Sequence, residues 1–349
     1  MLRAGSAPAN RLVTVLIHFP QRSAGSSSMS CYCDLLVNGL SKLGYEVHVV
    51  SKQGLVEAAR PWPWRMLLTK TPAVLSTWPA LFRQHLKYPK HWIVNISQEY
   101  IPPFAASKSI NIIHDLIQID YPRSRFVGFF YRYLLPKLAR NSALNISVSN
   151  STAAGLAAMR IPSRVVYNEF KLPDRSEDAI VESGARRYTA CWVGTLSKHK
   201  NIGDYLAASE ALPDKTFVAI LPERDARRVR IEFEVPANVD IFHSLDAKDY
   251  DDVLRASRFL VSTSLAEGFG RPPADGAIAG CDIVLTDIPI YRELYQGLAH
   301  FYVPGDTANL AATLAKTPMD IYANALERIK GWGEEHSLVD VIDEAISAS

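Results

Sequence analysis

The chain has 349 residues, of which 48% are hydrophobic and 21% charged, with a net charge of +2. This composition is typical of soluble globular proteins and argues against disordered, collagen-like or disulfide-scaffold chains. At roughly 100–200 residues per domain, the length predicts about two domains.

Four cysteines are too few for a disulfide framework, and they form neither a CxxC pair nor a cluster with zinc spacing. We therefore expect a cytoplasmic protein without a bound metal. No apolar stretch approaches the roughly 20 residues that a membrane-spanning helix needs, and the first ten residues lack the apolar core of a signal peptide.

The charge is divided unevenly along the chain. Residues 1–168 carry 19 Lys and Arg against 6 Asp and Glu, which gives +13, whereas residues 169–349 carry 19 against 30, which gives −11. Such asymmetry predicts two domains with different partners, the first of which meets something anionic.

Strands and helices alternate through the first half. Apolar runs predict strands over 12–19, 46–51, 92–96, 110–113, 144–148 and 164–167. Between the first two strands, leucines at helical spacing predict a helix over 33–43, which Gly44 ends.

The same rhythm returns in the second half. We predict strands over 189–193, 216–221, 239–242, 259–262 and 282–285. Strands that are apolar throughout, separated by helices, indicate parallel sheets covered on both faces, and two such units predict paired Rossmann-like domains. The polar segment 169–187 is expected to link them.

The most informative segment begins at the predicted strand over 259–262. A glycine-containing loop follows it, and prolines then suit the first turn of a helix. Ligands bind beyond the carboxyl ends of strands in open parallel sheets. Gly268 and Gly270 let the backbone approach a ligand, and the N–H groups of the next helix can bind an anion. A simple turn in which Asp275 favours the helix N-terminus is an equally good interpretation of these residues alone.

This segment resembles the E-x7-E signature of glycosyltransferase family 4. Glu267-Gly-Phe-Gly is followed by an acid eight residues after the first, here Asp275 in place of the family's Glu. The segment from Val193 to Asn201 looks like the family's phosphate loop, although Thr195 stands where the family often has Arg. Segments 165–168, 288–293 and 304–306 occur in the family's order.

The resemblance implies roles for individual residues. Lys200 would neutralise the donor diphosphate, and Glu267 would bind hydroxyls of the transferred sugar with help from backbone N–H groups of Phe269 and Gly270. Asp275 would hold the ribose. The implied catalytic residues are His114, Lys200 and Glu267, and the implied donor-binding residues are Gly25, Gly194, Thr195, Lys200, Glu267, Gly268, Phe269, Gly270 and Asp275.

Two of these residues lie in the first half. His114 ends an apolar strand and resembles the family's His-Asp pair, which implies contact with the donor sugar near the reacting carbon. Asp115 is expected to orient the local backbone or His114. Gly25 has the place of the family's glycine-rich first loop, with a single glycine.

Two segments of the first half combine aromatic and basic residues. Residues 52–90 contain seven basic residues against one acid, with tryptophans among them, and residues 123–140 repeat the combination around Phe126 and Phe129. Such segments suit an anionic bilayer interface. Helices with aromatics facing the core and charges facing water are the alternative, and nothing resembles a nucleic-acid recognition motif.

The sequence therefore predicts an α/β fold of two Rossmann-like domains facing across a cleft, the GT-B architecture. We expect an N-terminal acceptor domain over 1–168, a linker over 169–187, a donor domain over 188–317, and a helical segment over 318–349 that returns to the first domain. The implied protein is a retaining, metal-independent glycosyltransferase with no cofactor. It would move sugar from a GDP-mannose or UDP-hexose donor to a lipid-linked or surface-polysaccharide acceptor, as a peripheral protein on the cytoplasmic face of the membrane. A nucleotide-sugar 2-epimerase and a non-catalytic nucleotide-sugar-binding protein are the alternatives.

Overall fold

The structure is a computed structural model. It describes residues 14–18, 28–51, 54–57, 73–88, 91–104, 106–170, 172, 186–316, 322–334 and 337–348. The chain divides into two compact units. The first comprises residues 1–148, 152–166 and 336–349, and the second comprises residues 149–151 and 167–335.

The sheet of the first unit has seven strands in the order β3-β2-β1-β4-β5-β6-β7. All neighbours are parallel except the edge strand β3, which pairs antiparallel with β2. The strands are β1 Thr14–His18, β2 Glu46–Ser51, β3 Gly54–Glu57, β4 His91–Asn95, β5 Ser109–Ile113, β6 Leu144–Ser147 and β7 Arg164–Val165.

Among the described residues of 1–166, five helices lie between these strands. They are α1 Ser28–Lys42, α2 Ala73–Lys87, α3 Arg125–Phe129, α4 Leu135–Ala139 and α5 Asn150–Ala158, and a π-helical turn over Phe130–Leu134 joins α3 to α4. The first two residues of α5 are grouped with the second unit.

Three asparagines cross the middle of this sheet. The amide of Asn95 on β4 donates to Asn111 on β5 at 2.8 Å, and Asn111 donates to Asn145 on β6 at 2.9 Å. The amide of Asn145 then donates to the carbonyls of Ala139 and Pro162. All three side chains are buried, and these bonds satisfy polar groups that would otherwise be costly in the core.

The sheet of the second unit has six parallel strands in the order β10-β9-β8-β11-β12-β13. They are β8 Tyr188–Val193, β9 Phe217–Leu221, β10 Val239–His243, β11 Ser257–Ser262, β12 Asp282–Thr286 and β13 His300–Tyr302. The strand order reverses between β8 and β11, because β9 and β10 extend the sheet to one side and β12 and β13 to the other. Such a reversal opens a crevice beyond the carboxyl ends of the two central strands.

Helices connect these strands as the parallel topology requires. They are α6 Ile202–Glu210, α7 Glu223–Glu232, α8 Ala247–Arg255, α9 Arg271–Ile278, α10 Pro289–Tyr295, α11 Thr307–Leu314 and α12 Tyr322–Glu334. Fully buried side chains such as Trp192, Tyr205, Phe217 and Phe259 form a core on one face of the sheet.

The last helix, α13 Leu338–Ser347, belongs to the first unit. Its Asp343 accepts a hydrogen bond from Tyr45 at 2.5 Å, and Glu344 pairs with Arg164 at 2.6 Å. The sequence interpretation placed all of 318–349 with the first domain, whereas α12 lies in the second unit. The reason is that Trp332 on α12 packs against Phe269, Phe170 and Tyr295 of that unit.

All eleven predicted strands are present, with ends shifted by no more than two residues. The sequence interpretation missed β3 and β13, which have four and three residues and offer too short a pattern to recognise.

Candidate functional site

The first element of the site is the turn after β8. Gly194 leaves the strand beneath the ring of Trp192, and a Cβ on this glycine would lie 2.7 Å from that ring. The chain then forms a 3₁₀ turn over Lys198–Lys200 and enters α6 through Asn201, which has left-handed φ and ψ of 46° and 50°. This turn places Lys200 beyond the carboxyl end of β8.

The second element is the loop after β11, which is tied directly to the first. The Thr263 hydroxyl donates to the carbonyl of Lys200 at 2.7 Å and accepts from the indole N–H of Trp192 at 2.9 Å. The backbone N–H of Leu265 donates to the carbonyl of His199 at 2.7 Å. The two loops therefore form one hydrogen-bonded structure rather than two independent turns.

Lys200 and Glu267 meet where these loops converge. The Lys200 ammonium donates to Oε1 of Glu267, which also accepts from the Ser264 hydroxyl at 2.8 Å. Only 17% of the Lys200 side chain and 9% of the Glu267 side chain are exposed. A buried pair of opposite charges at the reversal point of a parallel sheet is suited to a ligand that carries both an anionic group and hydroxyls.

The backbone after Glu267 supplies further donors. Gly270 begins α9 with a φ of +80°, and a Cβ there would lie 2.8 Å from the ring of Tyr291. Pro272 and Pro273 occupy the second and third positions of α9 and carry no N–H. The backbone donors at this helix N-terminus are therefore the N–H groups of Phe269, Gly270 and Arg271.

Asp275 lies on the second turn of α9 and contacts Tyr250 of α8. The Tyr250 hydroxyl donates to Oδ2 of Asp275 at 3.2 Å. Burial raises the pKa of Asp275 to about 6, although the nearby Arg271 and the bond from Tyr250 act in the opposite direction. Burial and the neighbouring Asp275 also raise the pKa of Tyr250, so its hydroxyl keeps the proton that it donates.

The other predicted residues lie elsewhere. Thr195 is exposed, and its hydroxyl bonds to that of Ser197 at 2.8 Å. His114 lies in the first unit, where its Nε2 donates to the carbonyl of Ile96 at 2.7 Å and its backbone N–H donates to Gln98. Asp115 accepts from the N–H of Ile117, a local backbone role. Gly25 lies outside the described residues.

Several supporting residues were missed by the sequence interpretation. Ser264 orients Glu267, Tyr250 holds Asp275, and the buried Tyr291 bonds to Ser262 at 2.6 Å beneath Gly270. The last of these lies within segment 288–293, which has its own place in the resemblance. For Ser264 and Tyr250, no spacing in the sequence signals the contact.

Two kinds of feature are absent from the described ranges. Within them, no helix is long and apolar enough to cross a membrane. No group of three or more His, Cys, Asp or Glu side chains there is arranged to hold a metal ion.

Known proteins resemble this chain distantly in sequence and more fully in fold. No protein-family model matches the chain. The O-antigen chain mannosyltransferase RfbU of Salmonella typhimurium is 24% identical over 278 residues, which cover 76% of this chain and 74% of RfbU.

Solved structures share the fold across nearly the whole chain. WaaG, a glycosyltransferase involved in lipopolysaccharide biosynthesis, has a TM-score of 0.69 at 12% identity and covers 96% of this chain and 99% of its own. Sucrose-phosphate synthase from Thermosynechococcus elongatus has a TM-score of 0.67 at 16% identity, covering 96% and 94%. HepE of Anabaena, solved with UDP and glucose, has a TM-score of 0.64 at 16% identity, covering 96% and 98%. The chain is a glycosyltransferase with the GT-B fold.

Proposed function

We propose that this glycosyltransferase moves a sugar, with retention of anomeric configuration, from a nucleotide sugar of the GDP-mannose or UDP-hexose type to a lipid-linked or surface-polysaccharide acceptor. The observation that carries the proposal is the buried Lys200–Glu267 pair at the reversal point of the second sheet, with Asp275 on the adjoining helix. The relationship to RfbU supports an acceptor of the polysaccharide class.

Different residues of the second unit suit different parts of the donor. The Lys200 ammonium and the N–H group of Arg271 at the start of α9 suit the diphosphate, while the carboxylate of Glu267 and the N–H groups of Phe269 and Gly270 suit the transferred sugar. Asp275 accepts hydrogen bonds, as a ribose requires. When the bond from the anomeric carbon to the phosphate oxygen breaks, negative charge grows on the leaving nucleoside diphosphate. A cation already fixed at that place stabilises this charge without further reorganisation.

The acceptor hydroxyl completes the reaction. Its oxygen forms the new bond to the anomeric carbon as the phosphate oxygen leaves, and its proton passes to the leaving diphosphate. Retention requires the new bond to have the configuration of the old one. We place His114 near the transferred sugar, as the resemblance implies, with its ring fixed by the bond from Nε2 to the carbonyl of Ile96.

A donor panel tests this function. The purified chain is incubated with radiolabelled GDP-mannose, UDP-glucose or UDP-galactose and with lipid-linked saccharides as acceptors. We expect one donor to label the acceptor, and NMR of the product to show the donor's anomeric configuration. Glu267→Gln should remove labelling while leaving nucleoside diphosphate binding largely intact. Turnover of the donor to its 2-epimer without an acceptor would contradict transfer, as would binding of every donor without any product.

We also propose that the first unit docks on an anionic cytoplasmic leaflet. Residues 121–168 contain seven Lys and Arg and no acid. Along α3 and the π-helical turn, three aromatic side chains are exposed, namely Phe126 by 62%, Phe129 by 50% and Tyr133 by 58%. Phe130 and Tyr131 of the same segment are buried. Arg125 and Arg132 are also exposed, a combination that suits an interface with anionic headgroups.

Vesicle sedimentation tests the docking. The chain should sediment with vesicles that contain anionic lipid and much less with neutral ones, and binding should weaken with salt because such attraction is screened over about 8 Å at physiological ionic strength. Replacing Phe126 and Phe129 by Ser should reduce sedimentation without changing nucleotide affinity. Ile231→Ser, which removes an 83% exposed apolar side chain from α7, is the matched control. Equal recovery on neutral and anionic vesicles would refute the docking.

A further inference from the structure

A buried serine outside the predicted site contacts the loop that follows Glu267. Ser149 lies between β6 and α5, is fully buried, and is grouped with the second unit. Its hydroxyl donates to the carbonyl of Gly268 at 2.7 Å. Gly268 is the residue directly after Glu267, so this bond acts on the backbone beside the proposed sugar-binding carboxylate.

The bond fixes the orientation of one peptide group. In a trans peptide the C=O and the N–H point in opposite directions. Since Ser149 holds the carbonyl of Gly268, it also sets the direction of the Phe269 N–H. Within the described part of the chain, neither the N–H of Phe269 nor that of Gly270 donates to a protein acceptor. These two donors are therefore available to a ligand, with the first one aimed by Ser149.

Ser149 is itself held by Glu293 on α10. The two backbone N–H groups that follow Ser149, those of Asn150 and Ser151, donate to Oε1 and Oε2 of Glu293, each at 2.7 Å. The hydroxyl of Tyr167 donates to the same carboxylate at 2.9 Å. The side-chain amide of Asn150 donates to Oε1 as well, at 3.3 Å. A carboxylate with four donors has a defined position, and its bonds to the two N–H groups fix the backbone next to Ser149.

The side chain of Phe269 is fixed by other groups. It is buried between Trp332, at a ring-centroid distance of 5.1 Å, and the rings of Phe170 and Tyr167 at 6.0 and 6.2 Å. At the end of the loop, Gly270 lies against the ring of Tyr291, also on α10. Loop 267–270 is thus held on both sides by groups with no part in the proposed donor contacts.

We infer that Ser149, held by Glu293, is a positioning residue that aims the Phe269 N–H and the Glu267 carboxylate at the transferred part of the donor. The inference rests on the proposed function and adds a residue to which the resemblance gives no role. It predicts an effect on the nucleotide sugar and not on the nucleoside diphosphate, because the diphosphate is assigned chiefly to Lys200.

The test compares two buried serines. Ser149→Ala removes the bond to Gly268. Ser209→Ala removes an equivalent bond, since the hydroxyl of the fully buried Ser209 on α6 donates to the carbonyl of Leu206 at 2.7 Å. For both variants we measure the melting temperature, the affinity for GDP and UDP, and kcat and KM for GDP-mannose and UDP-glucose.

We expect similar falls in melting temperature for the two variants. Ser149→Ala should lower kcat about tenfold or more with the effective donor, because small misplacements of a reacting group carry such penalties. Its affinity for the nucleoside diphosphate should stay within about twofold of the unmodified protein, and Ser209→Ala should change neither quantity beyond that range. Glu293→Gln replaces one of the two acceptor oxygens by an amide nitrogen. It should therefore also lower kcat, by a smaller factor than Ser149→Ala, with nucleoside diphosphate affinity nearly unchanged.

Two results would overturn the inference. One is an equal loss of kcat in Ser149→Ala and Ser209→Ala, which would make Ser149 a stability residue only. The other is a loss of nucleoside diphosphate affinity in Ser149→Ala as large as the loss of kcat. Failure of the unmodified protein to use any nucleotide sugar is a separate result, and it would overturn the proposed function together with this inference.

Discussion

The half-buried carboxylate of Asp275 should lower the free energy of unfolding at neutral pH, and removal of its charge should raise that free energy. Its pKa rises from the ordinary 3.8 to about 6 on folding. The folded chain therefore holds this proton more tightly than the unfolded chain, so the free energy of unfolding falls as the pH rises from about 4 to about 6 and stays lower above that range. Asp275→Asn removes the charge, keeps the shape, and leaves an oxygen that still accepts from Tyr250.

The size of the effect follows from the pKa difference. The variant should exceed the unmodified protein in free energy of unfolding by about 3 kcal/mol at pH 7.5 and by only about 1 kcal/mol at pH 4.5, because the penalty develops between the two pKa values. Urea unfolding followed by tryptophan fluorescence across this pH range measures the difference.

The same variant should bind nucleoside diphosphate more weakly, since a neutral amide replaces the acceptor proposed for the ribose. A pH-independent stability difference would refute the electrostatic argument, because a change in packing alone does not vary with pH. A stabilised variant with full nucleotide affinity would remove Asp275 from the site while leaving the pKa argument intact.

Two further substitutions test the geometry of the site. Lys200→Ala should lower the free energy of unfolding by about 3 kcal/mol, because it leaves the carboxylate of Glu267 buried without its cation, and adding Glu267→Gln should restore most of that loss in urea unfolding. A double variant no more stable than Lys200→Ala would contradict the coupling. Gly270→Ala should destabilise more than Gly297→Ala and lower transfer: both glycines have a φ near +80°, but only the first would place a Cβ against Tyr291. Equal melting temperatures of these two variants would show that the contact is relieved at no cost.

The sequence was most informative where a segment is buried on both faces. Strand β2 was predicted with its observed ends, and β8 and β11 were predicted to within two residues, because long apolar runs leave few alternatives. The short edge strands β3 and β13 carry little apolar pattern of their own and form by pairing with β2 and β12. These two strands can be recognised only when the strand that each one pairs with is known.

The site shows the same contrast between local and distant information. The loop and helix around Glu267 could be predicted from the motif, because glycine and proline determine the conformation of the backbone where they stand. The contact between Lys200 and Glu267, which are 67 positions apart, depends on β8 and β11 being neighbours. Tyr250 and Ser149 lie in segments whose sequences contain no motif of the site. Their contacts with Asp275 and Gly268 are therefore seen only in the three-dimensional structure.

The row of asparagines in the first sheet limits how its strands can be exchanged between relatives. A pairing shifted by one residue would turn each amide to the opposite face, and a shift of two would keep the face but separate the partners. In either case buried amides would lose their bonds, at a cost of about 1–3 kcal/mol each. A chimera that takes β5 from another protein must therefore bring an amide at position 111, or replace Asn95 and Asn145 together with it.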